Sequence, residues 1–480
     1  METLIRPQCG SEQPRCSNCI KSNRFCTGYQ HSHAFVLSKQ MESAEVAAVH
    51  SSSIGQVTRW RKTKTTTTSN FLLLLPRLTD IAPALEYAML ALCTTKVGGV
   101  HGQRDLACRG RDLYTRSLRE LRLAVLDPLA RLDDQTLAAT LLLAMYEFTE
   151  CPGQEVHGFQ AHLGGGLNLL RLRGAAAHTA GLGHALLFGI RKSALFRSLD
   201  DRESSFLATK DWQSLPYDVL AKNAHDELCD VLEQIPGLLA CIRVIKAETR
   251  LPAILSHTLE ALQLAWRIEE DLAAWFDRFE ASVSGPLMVP KLARIPSATD
   301  DPTVGKLYPV AFHFSHFAIG QAITLYWAGL VILYTFLSNA YRQLRRLVYA
   351  VAGLEEDMAP CTCGDRGGND ETIESEVEKD KKASPRNCVR HFRLNMLQPL
   401  QHRATPQVVA DQVCQSVEYF LQEDMGILGG TLIFPPLLIV RNARLSWDGD
   451  TSRQSRQGMW INEMMQRIAR KGNRMAVQVE

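Results

Sequence analysis

Neither a G-x-S-x-G element nor an H-E-x-x-H pair occurs in this chain, and no glycine-rich loop ends in Lys-Ser or Lys-Thr. A nucleophile elbow, a zinc-peptidase helix and a phosphate-cradling loop are therefore missing. Strong net charge is missing too: 53 basic side chains stand against 51 acidic ones, for a formal +2. Whole-chain charge thus singles out no polyanionic or polycationic partner. Runs of alternating β-branched residues are absent, so no sheet is expected. No heptad is sustained, so a symmetric coiled-coil dimer is not expected. The first residues hold no apolar core of signal-peptide length and carry cysteines instead. A reducing compartment is expected from that start.

What is present is ordinary globular material, 46% hydrophobic and 22% charged. In 480 residues, several domains or one large helical domain with appendages are expected. Ala318 to Leu337 (AIGQAITLYWAGLVILYTFL) has the length of a membrane span and no charge. Its Gln321, Thr324, Tyr326 and Tyr334, and the amphipathic helices on both sides, predict a buried central helix with no membrane partner.

Periodicity near 3.6 runs through the middle of the chain. Leu113, Leu118, Leu121 and Leu126 mark one helical face, and Asp127-Pro128 ends it. Asp133-Asp134 opens the next helix, through Leu137, Leu141, Leu142 and Tyr146, with acid at the positive end of its dipole. The fold class expected is all-α. Cys93, Cys108, Cys151, Cys229, Cys241 and Cys414 are expected as small buried residues on helices.

Thirteen cysteines occur in all, and four of them cluster at Cys9, Cys16, Cys19 and Cys26, spaced C-x6-C-x2-C-x6-C. In a reducing compartment such clustering reads as metal ligation. The run Pro14-Arg15-Cys16-Ser17-Asn18-Cys19 through Cys26-Thr27-Gly28-Tyr29 resembles the second half of the fungal zinc binuclear cluster. The resemblance matches Cys9 to the third cysteine of six, and Cys16, Cys19 and Cys26 to the last three. It implies zinc as the cofactor. Four thiolates complete one tetrahedral shell, so at most one zinc is expected on Cys9, Cys16, Cys19 and Cys26. In that family a basic helix between the second and third cysteines reads the major groove. Here one basic residue, Arg6, precedes Cys9. Specific DNA binding is therefore expected to need the missing half, supplied by an upstream exon if the true start lies earlier. The contacts expected from this sequence are electrostatic, by Lys21 and Arg24 and by the cluster Arg59, Arg61, Lys62 and Lys64.

A second resemblance lies further along. Tyr114 on one helix, Leu143 to Glu147 (Leu-x-x-Tyr-Glu) on the next, then His157-x4-His162-x-Gly164-Gly165 and Leu169 to Gly174 follow one another in order. So do Trp266 to Phe279, Ala322 to Tyr334 and Val413 to Leu428. Together they look like the fungal-specific transcription regulatory domain, over about residues 80–350 and 405–470. His157 and His162 sit five apart, which suits packing better than a shared metal. The three glycines at 164–166 suit close helix contact.

The organisation expected is a partial zinc-cluster module at 1–30 and a basic linker at 31–75. A helical regulatory domain follows at 76–354 and resumes at 391–480 after an insert at 355–390. The insert is rich in Glu, Asp and Lys and is expected to be disordered; its Cys361 and Cys363, with Cys388, read better as loop than as ligands. The function implied is a nuclear zinc-cluster transcription factor acting on RNA polymerase II genes, with DNA, co-regulators or a small-molecule effector as partners. The alternative is a non-DNA-binding interaction protein built on the same helical domain. No catalytic constellation supports an enzyme.

Overall fold

Asp127 and Asp133 punctuate the chain as side-chain caps. The Asp127 carboxylate accepts from the Leu129 and Ala130 amides at 2.8 and 2.9 Å, and Asp133 accepts from the Gln135 amide at 2.7 Å. These bonds satisfy donors that a turning chain would otherwise leave bare. The computed structural model describes residues 71–150, 157–352, 397–400, 403–449 and 455–472.

The chain is all-α. Five helices come first: α1 (Pro83–Val100), α2 (Arg104–Leu126), α3 (Asp134–Glu150), α4 (His157–Arg173) and α5 (Gly181–Asp201). The short α6 (Lys210–Ser214) leads to α7 (Ala224–Leu232), α8 (Ile235–Ala247) and the long α9 (Leu251–Ser282). The last four are α10 (Phe317–Ala352), α11 (Pro406–Phe420), α12 (Gly426–Asp448) and α13 (Arg456–Arg470).

Two apolar cores result. The first is built from α1 to α5 around Leu85, Leu137, Leu142, Leu170, Leu186 and Ile190. The second draws on α7 to α13, with Trp275, Ile323, Val331, Val413, Phe420 and Leu437 all buried. Each such side chain contributes about 1.5–3 kcal/mol by leaving water. Helix α5 serves both cores: Ile190 and Ala194 face the first, Leu195 the second.

The apolar stretch at 318–337 is the heart of α10. Its Phe317–Leu347 portion is apolar enough to span a bilayer, with mean hydropathy 1.6, yet 67% of its most apolar window is buried inside the protein. It packs against α9, α11 and α12. Helices after residue 405 therefore share the second core with those before 352.

The expectation of no sheet is corrected. Strands β1 (Met288–Leu292) and β2 (Val310–Phe314) form an antiparallel pair, with Met288 opposite Phe314 and Leu292 opposite Val310. Each has five residues, too short to register as a run, and Pro290 interrupts β1 with a residue tolerated on an edge strand. Helices pin the crossing between them. Glu418 of α11 accepts from the Arg294 and Ile295 amides at 2.7 and 2.9 Å. Glu463 of α13 accepts from the Ser297 hydroxyl at 2.7 Å and the Ala298 amide at 2.9 Å.

One cysteine expectation also fails. Cys229 and Cys414 are buried, and Cys93 and Cys241 partly so, but Cys108 is exposed. It lies on the solvent side of α2, where the Arg111 guanidinium donates to its sulfur at 3.0 Å. Cys151 lies outside the described residues.

Candidate functional site

The expected metal ligands Cys9, Cys16, Cys19 and Cys26 lie outside the described residues. So do the expected DNA contacts Lys21, Arg24, Arg59, Arg61, Lys62 and Lys64, and the insert cysteines Cys361, Cys363 and Cys388. Among the described residues, no group of three His, Cys, Asp or Glu side chains is placed to hold a metal ion. Polar clusters are buried instead among the described helices.

The first gathers residues that stand apart in sequence but in one ordered motif. Tyr114 of α2 stacks on Tyr146 of α3, ring centres 4.5 Å apart and 17° from parallel. The Tyr114 hydroxyl donates to the Glu147 carboxylate and sits 3.3 Å from His162 Nε2 on α4. Burial lowers the His162 pKa, and the nearby Glu147 charge only partly opposes this. The imidazole is thus kept neutral beside a tyrosine that already has an acceptor. His157 is exposed and His162 half-buried, five residues and so about 140° apart on the helix. They form no metal pair.

Glycine makes that approach possible. A Cβ on Gly158 would stand 2.5 Å from the Glu147 carboxyl carbon. Further along α4, a Cβ on Gly166 would meet Ile190 at 3.0 Å, and one on Gly164 would meet the Arg197 guanidinium at 2.9 Å. Arg197 uses that space to donate to the Gln160 carbonyl at 3.1 Å. The glycine run of α4 is a packing surface for α3 and α5, with no phosphate loop in it.

The second cluster sits at the seam of the two cores. Arg191 of α5 is 3% exposed, and Glu233, just past α7, 2%. Arg191 Nε and Nη2 donate to the two Glu233 oxygens at 2.8 and 2.9 Å. Nη2 also reaches Asp230, and Nη1 donates to the Tyr217 hydroxyl at 2.9 Å. Tyr217 in turn donates to Asp226 at 3.1 Å, and Lys222 pairs with Asp230. Asp226 doubles as the third residue of a capping box with Asn223 at the start of α7. Burial is the largest single influence and opposes the Arg191 charge, but the hydrogen bonds and charge of Glu233, with smaller help from Cys229 and Tyr217, together outweigh it and hold the Arg191 pKa above its ordinary range. A fork-to-fork pair with its remaining donors satisfied is the geometry in which buried charge is tolerated.

The third cluster has the outline of a nucleophile–base pair. Cys229 Sγ lies 3.3 Å from His225 Nδ1, one turn away on α7, and His225 Nε2 lies 2.7 Å from Gln321 Nε2 on α10. An amide nitrogen donates, so Gln321 bonds an unprotonated Nε2 and the Nδ1 proton points at sulfur. Burial pushes the Cys229 thiol up to about 12 and the His225 imidazole down to about 3. A reactive cysteine needs a thiolate. Here the thiol stays protonated and the ring neutral, so the pair is a hydrogen bond within the packing.

A cavity of about 20 Å³ lies among Ile295, Lys306, Tyr308, Glu418 and Trp460, between the β1–β2 crossing, α11 and α13. That is room for about one water molecule, far below the size of an organic ligand site.

The Tyr114, Glu147 and His162 order could be read from sequence; their convergence could not. The Arg191 cluster went unread because its pairs lie 39 and 42 residues apart, and each charge in isolation suggests solvent.

Comparison with known proteins supplies the context. The family described as "Fungal specific transcription factor domain" matches residues 62–363, more than half of the chain. A protein of Emericella nidulans described as "Uncharacterized protein AN5342" is 28% identical over 163 residues, 33% of this chain and 34% of that protein. The matched region thus spans about a third of that relative's length. No solved structure matches.

Proposed function

The chain belongs to the fungal specific transcription factor domain family, and on that premise we propose that it is a nuclear regulator of RNA polymerase II transcription whose N-terminal cysteine module addresses DNA, sequence-specifically only when the missing first half of the zinc cluster is supplied. The helical body is the regulatory part. Its two cores, joined through α5 and the Arg191 cluster, give co-regulators or an effector a rigid platform.

The observation that carries the DNA part is the order of modules. The spacing C-x6-C-x2-C-x6-C at Cys9 to Cys26 stands ahead of the basic cluster Arg59 to Lys64, and the matched domain begins at residue 62. Four cysteine thiolates suit one zinc ion, which holds together a segment too small for a core. Lys21, Arg24, Arg59, Arg61, Lys62 and Lys64 supply phosphate contacts.

The test uses the tagged full chain in a fungal host, with its own promoter intact. Expected are nuclear accumulation, changed transcript levels on deletion of the gene and, from a chain joined to the missing first half of the cluster, promoter occupancy that Cys16→Ala with Cys19→Ala abolishes. Occupancy untouched by the cysteine changes would instead favour recruitment through another protein. Unchanged transcripts on deletion would remove the regulator reading altogether.

A further inference from the structure

Helix α2 carries its charge on one side. Arg104, Arg109, Arg116, Arg119 and Arg122 are all exposed, and among the described residues none of them makes an ion pair or hydrogen bond. At 100° per residue they fall, with Arg111, within about 160° of one helix face. Asp105 and Asp112 are the acids exposed on that face. The neighbouring α1 offers little to neutralise it: its charged residues are Glu86 and Lys96, and Lys96 is paired with Glu150 at 2.5 Å. Self-repulsion among unpaired arginines on one helix destabilises it, by a few tenths of a kcal/mol per close pair.

The same face becomes apolar at its C-terminal end. Leu123 and Leu126 are 62% and 69% exposed, and Leu129, just past the Asp127 cap, is 83% exposed. Single exposed leucines are ordinary, but a group beside a basic stripe is the composition of a contact surface. The face is about 34 Å long, counting 23 residues at the helical rise.

We propose that the exposed face of α2 docks an acidic amphipathic helix of a partner protein, its carboxylates on the arginine stripe and its apolar side on Leu123, Leu126 and Leu129. Charge complementarity sets the sign of the partner, and the leucines set its class. A nucleic-acid backbone would satisfy the arginines and leave three leucines in water. An acidic helix with apolar residues three and four apart covers both. This surface is independent of the N-terminal module, so it goes beyond the DNA reading and survives its failure.

The test is fluorescence anisotropy of a labelled synthetic helical peptide, with leucines on one face and glutamates on the other, titrated with the full chain at low salt. Two variants report on the two halves of the surface. Combined Arg109→Glu, Arg116→Glu and Arg119→Glu is expected to weaken binding at least about tenfold. Combined Leu123→Ser and Leu126→Ser is expected to weaken it several-fold at unchanged charge. All five side chains are exposed or half-exposed in a helix whose inner face is untouched, so circular dichroism and melting should match the parent. A peptide with the same charge in scrambled order should bind more weakly. Equal binding of both peptides, no binding of either, or indifference to the α2 changes overturns the proposal. So does a duplex DNA probe that loses affinity with the arginine changes while the leucine changes do nothing to the peptide.

Discussion

Arg191 and Glu233 meet through two parallel hydrogen bonds, 2.8 and 2.9 Å long, across the line where one apolar core gives way to the other. The pair ties the chain before residue 202 to the chain after residue 223, with Asp230, Asp226 and Tyr217 completing its contacts. Removing one partner strands the other charge. Arg191→Met is expected to cost about 3–5 kcal/mol, while Arg191→Met with Glu233→Met should cost less than the sum of the two single changes. Denaturant unfolding of the four proteins measures it. Additive losses would mean the pair is not coupled.

Gly158 gives way to Glu147, and Glu147 accepts from Tyr114. Gly158→Ala should push the carboxylate off the tyrosine and cost about 1–3 kcal/mol, as overpacking does. Tyr114→Phe should cost about 1.5 kcal/mol, in the range for a hydrogen bond to a charged group. In a Glu147→Ala background the Gly158→Ala penalty should largely vanish, because the side chain it strikes is gone. A penalty of the same size in both backgrounds would show that helix approach, not this carboxylate, is what requires glycine.

His178 predicts how stability follows pH. Its ring is fully buried, Nδ1 donates to the Gly183 carbonyl at 2.9 Å, and Nε2 has no partner. Burial pushes its pKa down to about 4. Unfolded histidine titrates near 6.5. Between those values the unfolded chain binds a proton that the folded chain refuses, so stability falls as pH drops from about 6.5 to about 4. The loss approaches about 3 kcal/mol for this one group. Denaturant unfolding at a series of pH values, comparing the parent with His178→Phe, isolates it. The variant should show a shallower fall across that window, and parallel curves would assign the acid sensitivity elsewhere.

Much of the scaffold was legible because it is local. The end of α2 at Asp127-Pro128, the start of α3 at Asp133-Asp134 and the buried fate of the 318–337 stretch follow from spacing and from polar residues within an apolar run. The polar content at Gln321 and Thr324 had a reason that sequence withheld: Gln321 bonds His225 from 96 residues away, and Thr324 bonds its own helix. The β1–β2 pair stayed hidden because five residues and one proline make no pattern, and their pairing depends on α11 and α13 holding the crossing. Cys108 misled because cysteine is usually buried, whereas its neighbours Arg104, Arg109 and Arg111 already marked that face as outward.

Chelation should divide the protein into a metal-dependent terminus and a metal-independent body. No described residues form a three-ligand group, and the helices are held by two apolar cores. Treating the full chain with a strong chelator should therefore leave its helical dichroism and melting temperature unchanged. The four cysteines Cys9, Cys16, Cys19 and Cys26 can complete one tetrahedral thiolate site. Elemental analysis should find at most one zinc per chain before chelation, and less in Cys16→Ala, since three thiolates leave the shell open. DNA binding should be weak and indifferent to sequence, fall steeply as salt rises, and lose slope when Arg59, Arg61, Lys62 and Lys64 are changed to Ala. Two tightly held zinc ions per chain, or a body that unfolds on chelation, would contradict this division between a thiolate-held module and a core-held domain.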